Sequence, residues 1–231
     1  MAVSYVIEGS CQQTRMRQLA FAGDGVRLAG QIDYPTTPRP PDRGYPLVFM
    51  LHHVGWNSRE DYRHYTLTAL NIGHAVFRWD KRGTGRSGAS GRGSATQDAV
   101  NAYETALEQP DVDFRRAVIL AQNEGSLMLG SAFGLFARIQ RPAGVILAGN
   151  MLNKDAIAAI DAPLFIAQGE RDWHRWEQFA RDAATAHRER LPYGAEYYVA
   201  NNADRMLMTG EEKPTFHYGA VLKIQDWLKR L

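Results

Sequence analysis

The sequence of 231 residues has a single cysteine, Cys11. A lone cysteine cannot form an internal disulfide, so nothing in the sequence indicates an oxidising compartment, and we expect an inert thiol. The N-terminus lacks the basic segment and apolar run of a secretory signal, and no apolar run approaches the roughly 20 residues that span a bilayer. We therefore expect a cytoplasmic protein with no membrane partner.

An excess of charge of one sign is also missing. The 27 Lys and Arg residues against 25 Asp and Glu residues leave a formal net charge of +2. This balance is unlike that of a protein that binds nucleic acid by neutralising phosphates, so we expect no nucleic-acid partner. The histidines and the cysteine never occur at the spacings typical of metal ligands, and no metal site is predicted.

What the sequence does contain is typical of a globular α/β protein, with 45% apolar and 23% charged residues. Short apolar runs alternate with stretches of helical periodicity, which favours a mostly parallel sheet with helices on both faces. An Asp-Gly turn at residues 24–25 predicts that the first two strands form an antiparallel hairpin. We predict one domain over residues 1–231, with eight strands at residues 17–22, 26–34, 46–51, 75–79, 117–121, 144–148, 164–167 and 196–199.

Helical periodicity predicts five helices, at residues 59–70, 96–109, 125–138, 173–190 and 216–229. The last has an apolar stripe that begins at Phe216 and ends at Leu228, which we interpret as a core-facing surface. Only residues 149–162 separate the sixth and seventh strands. This segment has room for one short helix, so no substantial cap domain is expected.

Five motifs lie where predicted strands end. They are HHVG at 52–55, DKRGTGRSG at 80–88, QNEGS at 122–126, GERD at 169–172 and NADR at 202–205. Together they resemble the α/β-hydrolase family, in particular its small, capless members of the esterase or dienelactone-hydrolase type. The second motif is similar to the family's D-x-R-G-x-G-x-S loop, and the third has the strand–turn–helix context of the G-x-S-x-G nucleophile elbow. The resemblance implies an α/β-hydrolase fold over nearly the whole chain.

The resemblance also implies the positions of a catalytic triad, and the required chemistry is missing there. Asn123 aligns with the serine nucleophile, Asp172 with the acid and Arg205 with the histidine. An amide is not a nucleophile, and a guanidinium stays protonated, so neither side chain can replace serine or histidine. We predict that Asn123 retains the positive φ of the elbow, which asparagine tolerates well. A register that uses Ser126 would instead place the hydroxyl one turn into the helix.

Asp172 and Arg205 have two interpretations. We predict an ion pair within about 4 Å that replaces the family's Asp–His hydrogen bond; the alternative is a polar clamp for an anionic ligand. His174 and His217 are possible substitutes for the missing histidine, although neither lies in the loop that carries it in the family.

The remaining candidates would surround the elbow. Glu124 follows Asn123, and its backbone N–H group is expected to face that of Gly55 in an oxyanion hole, where Val54 replaces a usual glycine. His53 is interpreted as structural. The cleft residues predicted besides the triad positions are His53, Val54, Gly55, Trp56, Gln122, Glu124 and Trp173.

Residues 83–88 also match the dinucleotide fingerprint G-x-G-x-x-G. The match follows the fourth strand and does not open a first βαβ unit, so we predict no NAD and no other cofactor. Three function classes stay open: a non-hydrolytic homologue that binds a small molecule or a partner in the cleft, an enzyme of different chemistry such as a lyase, isomerase or cyclase, and a hydrolase with an unrecognised nucleophile. The first is favoured.

Overall fold

The computed structural model describes residues 15–36, 40–52, 58–89, 92–172 and 176–231. Cys11 lies outside these residues. The main sheet has eight strands, as the sequence predicted. They are β1 (Arg15–Ala22), β2 (Arg27–Tyr34), β3 (Tyr45–Leu51), β4 (Ala75–Asp80), β5 (Val112–Gln122), β6 (Gly144–Ala148), β7 (Leu164–Gly169) and β8 (Ala195–Ala200).

The sheet is mostly parallel, with the strand order β1-β2-β4-β3-β5-β6-β7-β8. The hairpin of β1 and β2 is antiparallel, as predicted, and β2 is also antiparallel to β4. All the pairs from β4 through β3 to β8 are parallel. The carboxyl ends of these strands therefore meet at one edge of the sheet, where ligands bind in open α/β folds.

Helices cover both faces of the sheet. They are α1 (Arg63–Leu70), α2 (Ala95–Leu107), α3 (Glu124–Ile139), α4 (Trp176–Arg190) and α5 (Tyr218–Arg230). Buried side chains of α2, α3 and α4 pack into one apolar core, and those of α1 and α5 pack into a second core on the opposite face. Two-sided burial explains why the central strands are uniformly apolar.

The structure corrects several predicted boundaries. The predicted helix at 59–70 begins as a 3-10 helix, Arg59–Tyr62, before α1. Phe216 lies outside α5, in a two-residue strand β10 (Thr215–Phe216) that pairs with β9 (Met208–Thr209). The fifth strand begins five residues before its predicted start, because the register of β3 against β5 shifts between Pro46 and Leu47 and lets pairing continue. Residues 149–163 contain one 3-10 helix, Ala156–Ala159, consistent with the expected lack of a cap.

The loop after β4 is held by internal hydrogen bonds. The buried carboxylate of Asp80 accepts from the backbone N–H groups of Arg59 and Arg86, at 2.9 and 3.0 Å. The Ser87 hydroxyl donates to the Asp80 carbonyl at 2.6 Å and accepts from the Ala29 N–H at 2.9 Å. The D-x-R-G-x-G-x-S motif thus fixes the loop against β2, which positions one wall of the site described next.

Candidate functional site

Asn123 lies at the tip of the turn between β5 and α3, with φ 47° and ψ −115°. The predicted positive φ is confirmed. The Asn123 N–H donates to the Ala148 carbonyl at 2.9 Å, which ties the turn to β6. A Cβ atom on Gly125 would lie 2.6 Å from the Leu51 carbonyl oxygen, so only glycine lets α3 start this close to β3. The sharp elbow is therefore retained with an amide at its tip.

Ser126 has a structural role. Its side chain is fully buried, and its hydroxyl donates to the Asn123 carbonyl at 2.6 Å and accepts from the Met151 N–H at 3.1 Å. Both functions of the hydroxyl are used to link the elbow to the loop after β6. This geometry supports the sequence argument against Ser126 as a nucleophile.

The side chain that covers the elbow is Met206, which the sequence analysis did not single out. Its Sδ lies 3.5 Å from Asn123 Nδ2 and 3.0 Å from Gln122 Nε2, within reach of weak N–H···S hydrogen bonds. Met206 belongs to the loop after β8, the loop that carries the histidine in the family. A soft, apolar thioether therefore occupies the space beside Asn123.

Asp172 and Arg205 lie in the loops after β7 and β8. The Asp172 carboxylate accepts a hydrogen bond from Gln168 Nε2, and the buried Gln168 Oε1 accepts from the Asn150 N–H at 3.0 Å. The two loops pack closely, since a Cβ atom on Gly169 would lie 2.0 Å from the Asp204 carbonyl oxygen. The Arg205 side chain is exposed. The proposed ion pair between Asp172 and Arg205 stays a prediction.

Other candidates have different outcomes. His217 Nδ1 accepts from the Ala220 N–H at 3.1 Å, so this ring caps the start of α5. Gln122 is fully buried and Asn123 is 3% exposed. Both side chains are therefore less accessible to a ligand than residues in the wall of an open cleft would be. The predicted residues outside the described part of the chain are His53, Val54, Gly55, Trp56, Trp173 and His174.

A cavity of about 240 Å³ opens beside the elbow, on the side of α2. Of the predicted cleft residues, Glu124 lines it. Its walls combine apolar and charged side chains from the ends of β3 and β4 and the starts of α2 and α3. The lining residues are Leu51, His52, Trp79, Lys81, Arg82, Thr84, Ala95, Asp98, Glu124 and Met128.

Two ionisable lining groups are perturbed by burial. Burial lowers the pKa of Lys81, and the nearby Glu124 carboxylate opposes that shift. Burial also lowers the pKa of His52 to about 3, with the Lys81 charge acting in the same direction. His52 is therefore a neutral imidazole at neutral pH. Its ring lies edge-on to Tyr62 and Trp79, with centroids 5.0 and 4.8 Å away.

Sequence reasoning missed His52, Lys81 and Met206 as site residues. His52 and Lys81 lie within motifs that it used to infer the fold, at the ends of β3 and β4, and that position was the available signal. Among the residues that the structure describes, no group of three or more His, Cys, Asp or Glu side chains is placed to hold a metal ion. In the same part of the chain, no helix is long and apolar enough to cross a bilayer.

Structural comparison identifies the fold. A dienelactone hydrolase from Anabaena variabilis superposes with a TM-score of 0.71 at 16% identity, over 94% of this chain and 98% of that one. A Pyrococcus furiosus esterase gives 0.70 at 14% identity, over 95% and 91%. A protein described as a predicted CIB-like hydrolase, from Thermoplasma acidophilum, gives a TM-score of 0.69 at 16% identity, over 94% and 100%.

The chain therefore has an α/β-hydrolase fold without an evident cap, as the sequence motifs predicted. No protein-family model matches the sequence, and no curated protein matches it. At this level of identity the comparison defines the fold, and function has to be argued from the site.

Proposed function

We propose that this protein is a non-hydrolytic member of its fold class that binds a small molecule in the cleft at the carboxyl ends of the strands. The observation that carries the proposal is the contact between Asn123 and Met206 at a retained elbow. A serine mechanism needs an oxygen nucleophile and a neighbouring base. Here an amide and a thioether occupy that space. Neither serves as the nucleophile that attacks an ester carbonyl or as the base that takes the proton of a nucleophile.

The cavity next to Glu124 supports the binding part of the proposal. Ligand sites are concave and mostly apolar, with a few convergent polar groups. This cavity fits that description, with Leu51, Trp79 and Met128 among its walls and Lys81 and Glu124 as polar groups. The hydrolase names of the structural neighbours are compatible with a common fold whose site has diverged.

Activity measurements test the non-hydrolytic part. The unmodified protein should not hydrolyse p-nitrophenyl acetate above background, and a fluorophosphonate should not label it. An active esterase of the same fold, treated in parallel, controls for reagent quality. Stoichiometric labelling mapped by mass spectrometry to a single serine would identify a working hydrolase and overturn the proposal.

An enzyme of different chemistry is the second candidate, favoured by Lys81 and Glu124 in one cavity. An amine whose pKa is lowered by burial is a better base at neutral pH, and the ammonium that it forms on taking a proton from a substrate can return that proton, with the Glu124 carboxylate stabilising the charge meanwhile. The pH dependence of Lys81 acylation by an amine-reactive acylating reagent tests whether Lys81 acts as a base. We expect a lower midpoint for Lys81 than for Lys223, and equal midpoints would exclude the role.

A further inference from the structure

Lys81 differs from the other lysines of the chain. The sequence has five lysines, and four of them are exposed: Lys154, Lys213, Lys223 and Lys229. Lys81 is half-buried and lines the cavity beside the elbow. Proteins activate a lysine as a nucleophile by removing it from water in an apolar pocket. The location of Lys81 therefore suits it to attack a bound electrophile.

The strand geometry directs Lys81 to the apolar side of the cavity. Side chains alternate between the two faces of a strand, and Lys81 directly follows β4. Phe77 and Trp79 pack into the core that β4 shares with α2, α3 and α4, whereas Val76 packs into the opposite core. Continued alternation places Lys81 on the same face as Trp79, and both residues line the cavity.

A carboxylate faces the same cavity. Glu124 is the first residue of α3, and Met128 follows one turn later on the same helix face. Both residues line the cavity. The charge of Glu124 acts on the Lys81 ammonium and raises its pKa, against the larger effect of burial. The amine therefore lies near a group that can carry protons to and from it.

The other ionisable groups of the lining are already accounted for. Arg82 Nε is paired with Asp98 at 2.6 Å. His52 is 4% exposed, and both of its ring nitrogens are buried and lack a hydrogen-bond partner among the described residues. The His52 nitrogens therefore do not open onto the cavity, and the neutral ring adds no charge to it. Within the described lining, this leaves the Lys81 amine and the Glu124 carboxylate to act on a ligand.

The size and walls of the cavity define the rest of the ligand. An apolar cavity of about 150 Å³ in another protein holds benzene, and this one measures about 240 Å³. Leu51, Trp79 and Met128 form apolar walls. Trp79 Nε1 donates to the Met50 carbonyl at 3.0 Å, so its indole N–H is already used. One aromatic ring with a small reactive substituent matches this space, whereas a drug-sized molecule needs roughly 300 Å³ or more.

We infer that Lys81 forms an imine with a small aromatic aldehyde bound in this cavity, and that Glu124 moves the protons. This inference rests on the proposed function, because it names the ligand class and the reacting residue of the same cleft. The neutral amine attacks the carbonyl carbon, and the carbonyl π electrons move to the oxygen as the C–N bond forms. Glu124 takes each amine proton in turn and passes it to that oxygen. The oxygen leaves as water, and a C=N bond remains.

Reductive trapping in the unmodified protein tests the inference. Sodium cyanoborohydride converts an imine of benzaldehyde into a stable benzylamine linkage, which mass spectrometry assigns to a residue. We expect Lys81 to be labelled at least tenfold faster than Lys223 at neutral pH. Benzyl alcohol has nearly the same shape without the carbonyl group. In excess, it should slow the labelling of Lys81 and leave that of Lys223 unchanged.

Two variants separate the roles of the two residues. Lys81→Arg keeps the positive charge but cannot form an imine, so the fast label should disappear while the label on Lys223 remains. For Glu124→Gln, imine formation is followed over about pH 7 to 10, and the fitted plateau compares proteins in which the amine is neutral. We expect a plateau rate at least fivefold lower than in the unmodified protein. Glu212→Gln, which changes an exposed carboxylate outside the lining, is the control and should have no effect.

Several results would overturn the inference. They are labelling of Lys81 no faster than that of Lys223, no protection of Lys81 by benzyl alcohol, and a plateau rate that Glu124→Gln leaves unchanged. Each would leave the proposed non-hydrolytic function intact, since that function is tested by fluorophosphonate labelling. Labelling of a serine by the fluorophosphonate would contradict the proposed function whatever Lys81 does.

Discussion

At the scale of single residues, the turn between β5 and α3 has the backbone geometry of a nucleophile elbow, with asparagine at its tip. The positive φ of Asn123 lies in a region that ordinary L-residues avoid. The hydrogen bond from its N–H to Ala148 and the glycine at position 125 hold the turn in this conformation. Backbone strain of this kind is concentrated at functional sites, and it supports the proposal that the cleft binds a ligand.

Two substitutions at position 123 separate backbone strain from side-chain contacts. Both Asn123→Gly and Asn123→Ala remove the amide contact with Met206, but only alanine must adopt φ 47° with a Cβ atom. We expect the free energy of unfolding of the glycine variant to exceed that of the alanine variant by about 1 to 3 kcal/mol. Urea denaturation measures the difference, and equal stabilities would show that the turn relaxes.

The buried His74 makes the stability of the fold depend on pH. Burial lowers the pKa of His74 to about 4, with the Arg116 charge acting in the same direction. The unfolded chain takes up a proton near the ordinary pKa of about 6.5, whereas the folded protein does not until about pH 4. Stability from the neutral ring is therefore complete above about pH 6.5 and is lost as the pH falls towards 4.

We expect His74→Phe to flatten this part of the stability curve by up to about 1.4 kcal/mol per pH unit. Urea denaturation of both proteins at about pH 7, 6 and 5 measures the two slopes. Parallel slopes would mean that His74 does not contribute to the acid sensitivity.

At the scale of elements, the loop after β4 shows how a motif can be structural. Its backbone N–H groups are used within the fold: Gly83 donates to the Gly88 carbonyl, Thr84 to the Lys81 carbonyl and Arg86 to the Asp80 carboxylate. A dinucleotide fingerprint uses such groups to bind a pyrophosphate. The internal hydrogen bonds give a physical reason for the spacing of the Gly and Ser residues in this loop.

Gly85 is a position of this loop where an added side chain is expected to destabilise the fold. A Cβ atom there would lie 2.3 Å from Asp80 Cγ, and φ is +49°. We expect Gly85→Ala to lower the free energy of unfolding by more than about 2 kcal/mol, because it displaces a buried carboxylate. Gly73→Ala is the control, since Gly73 has φ +85° with no heavy atom within 4 Å of the added Cβ. A similar loss in both variants would contradict the proposed contact.

At the scale of the whole molecule, the sequence predicted the sheet and the elbow, but it did not identify several of the residues that form the site. Apolar runs between turns define β3 to β7 because these strands are buried on both faces, and that burial is encoded locally. Met206 could not be found this way, since which residue of the loop after β8 faces Asn123 depends on packing between distant loops. The isolation of His52 from hydrogen-bond partners is likewise a property of the folded neighbourhood and not of a motif.

The contact with Met206 changes how a triad would be rebuilt. Alignment with the family suggests Asn123→Ser with Arg205→His, but the Arg205 side chain is exposed, whereas Met206 Sδ lies 3.5 Å from Asn123 Nδ2. An imidazole at position 206 would start beside the new hydroxyl. Asp172, in the loop after β7, accepts a hydrogen bond from Gln168 Nε2 and is the available acid.

We therefore expect Asn123→Ser with Met206→His to gain hydrolysis of p-nitrophenyl acetate and labelling of the new serine by a fluorophosphonate. The double change with Arg205→His should gain less. Each single change should do little, because nucleophile and base act as a unit. A misplacement of about 1 Å can cost 100-fold, so even the better pair should stay well below an evolved esterase. Greater activity in the Arg205→His pair would mean that position 205, and not 206, delivers the base to the elbow.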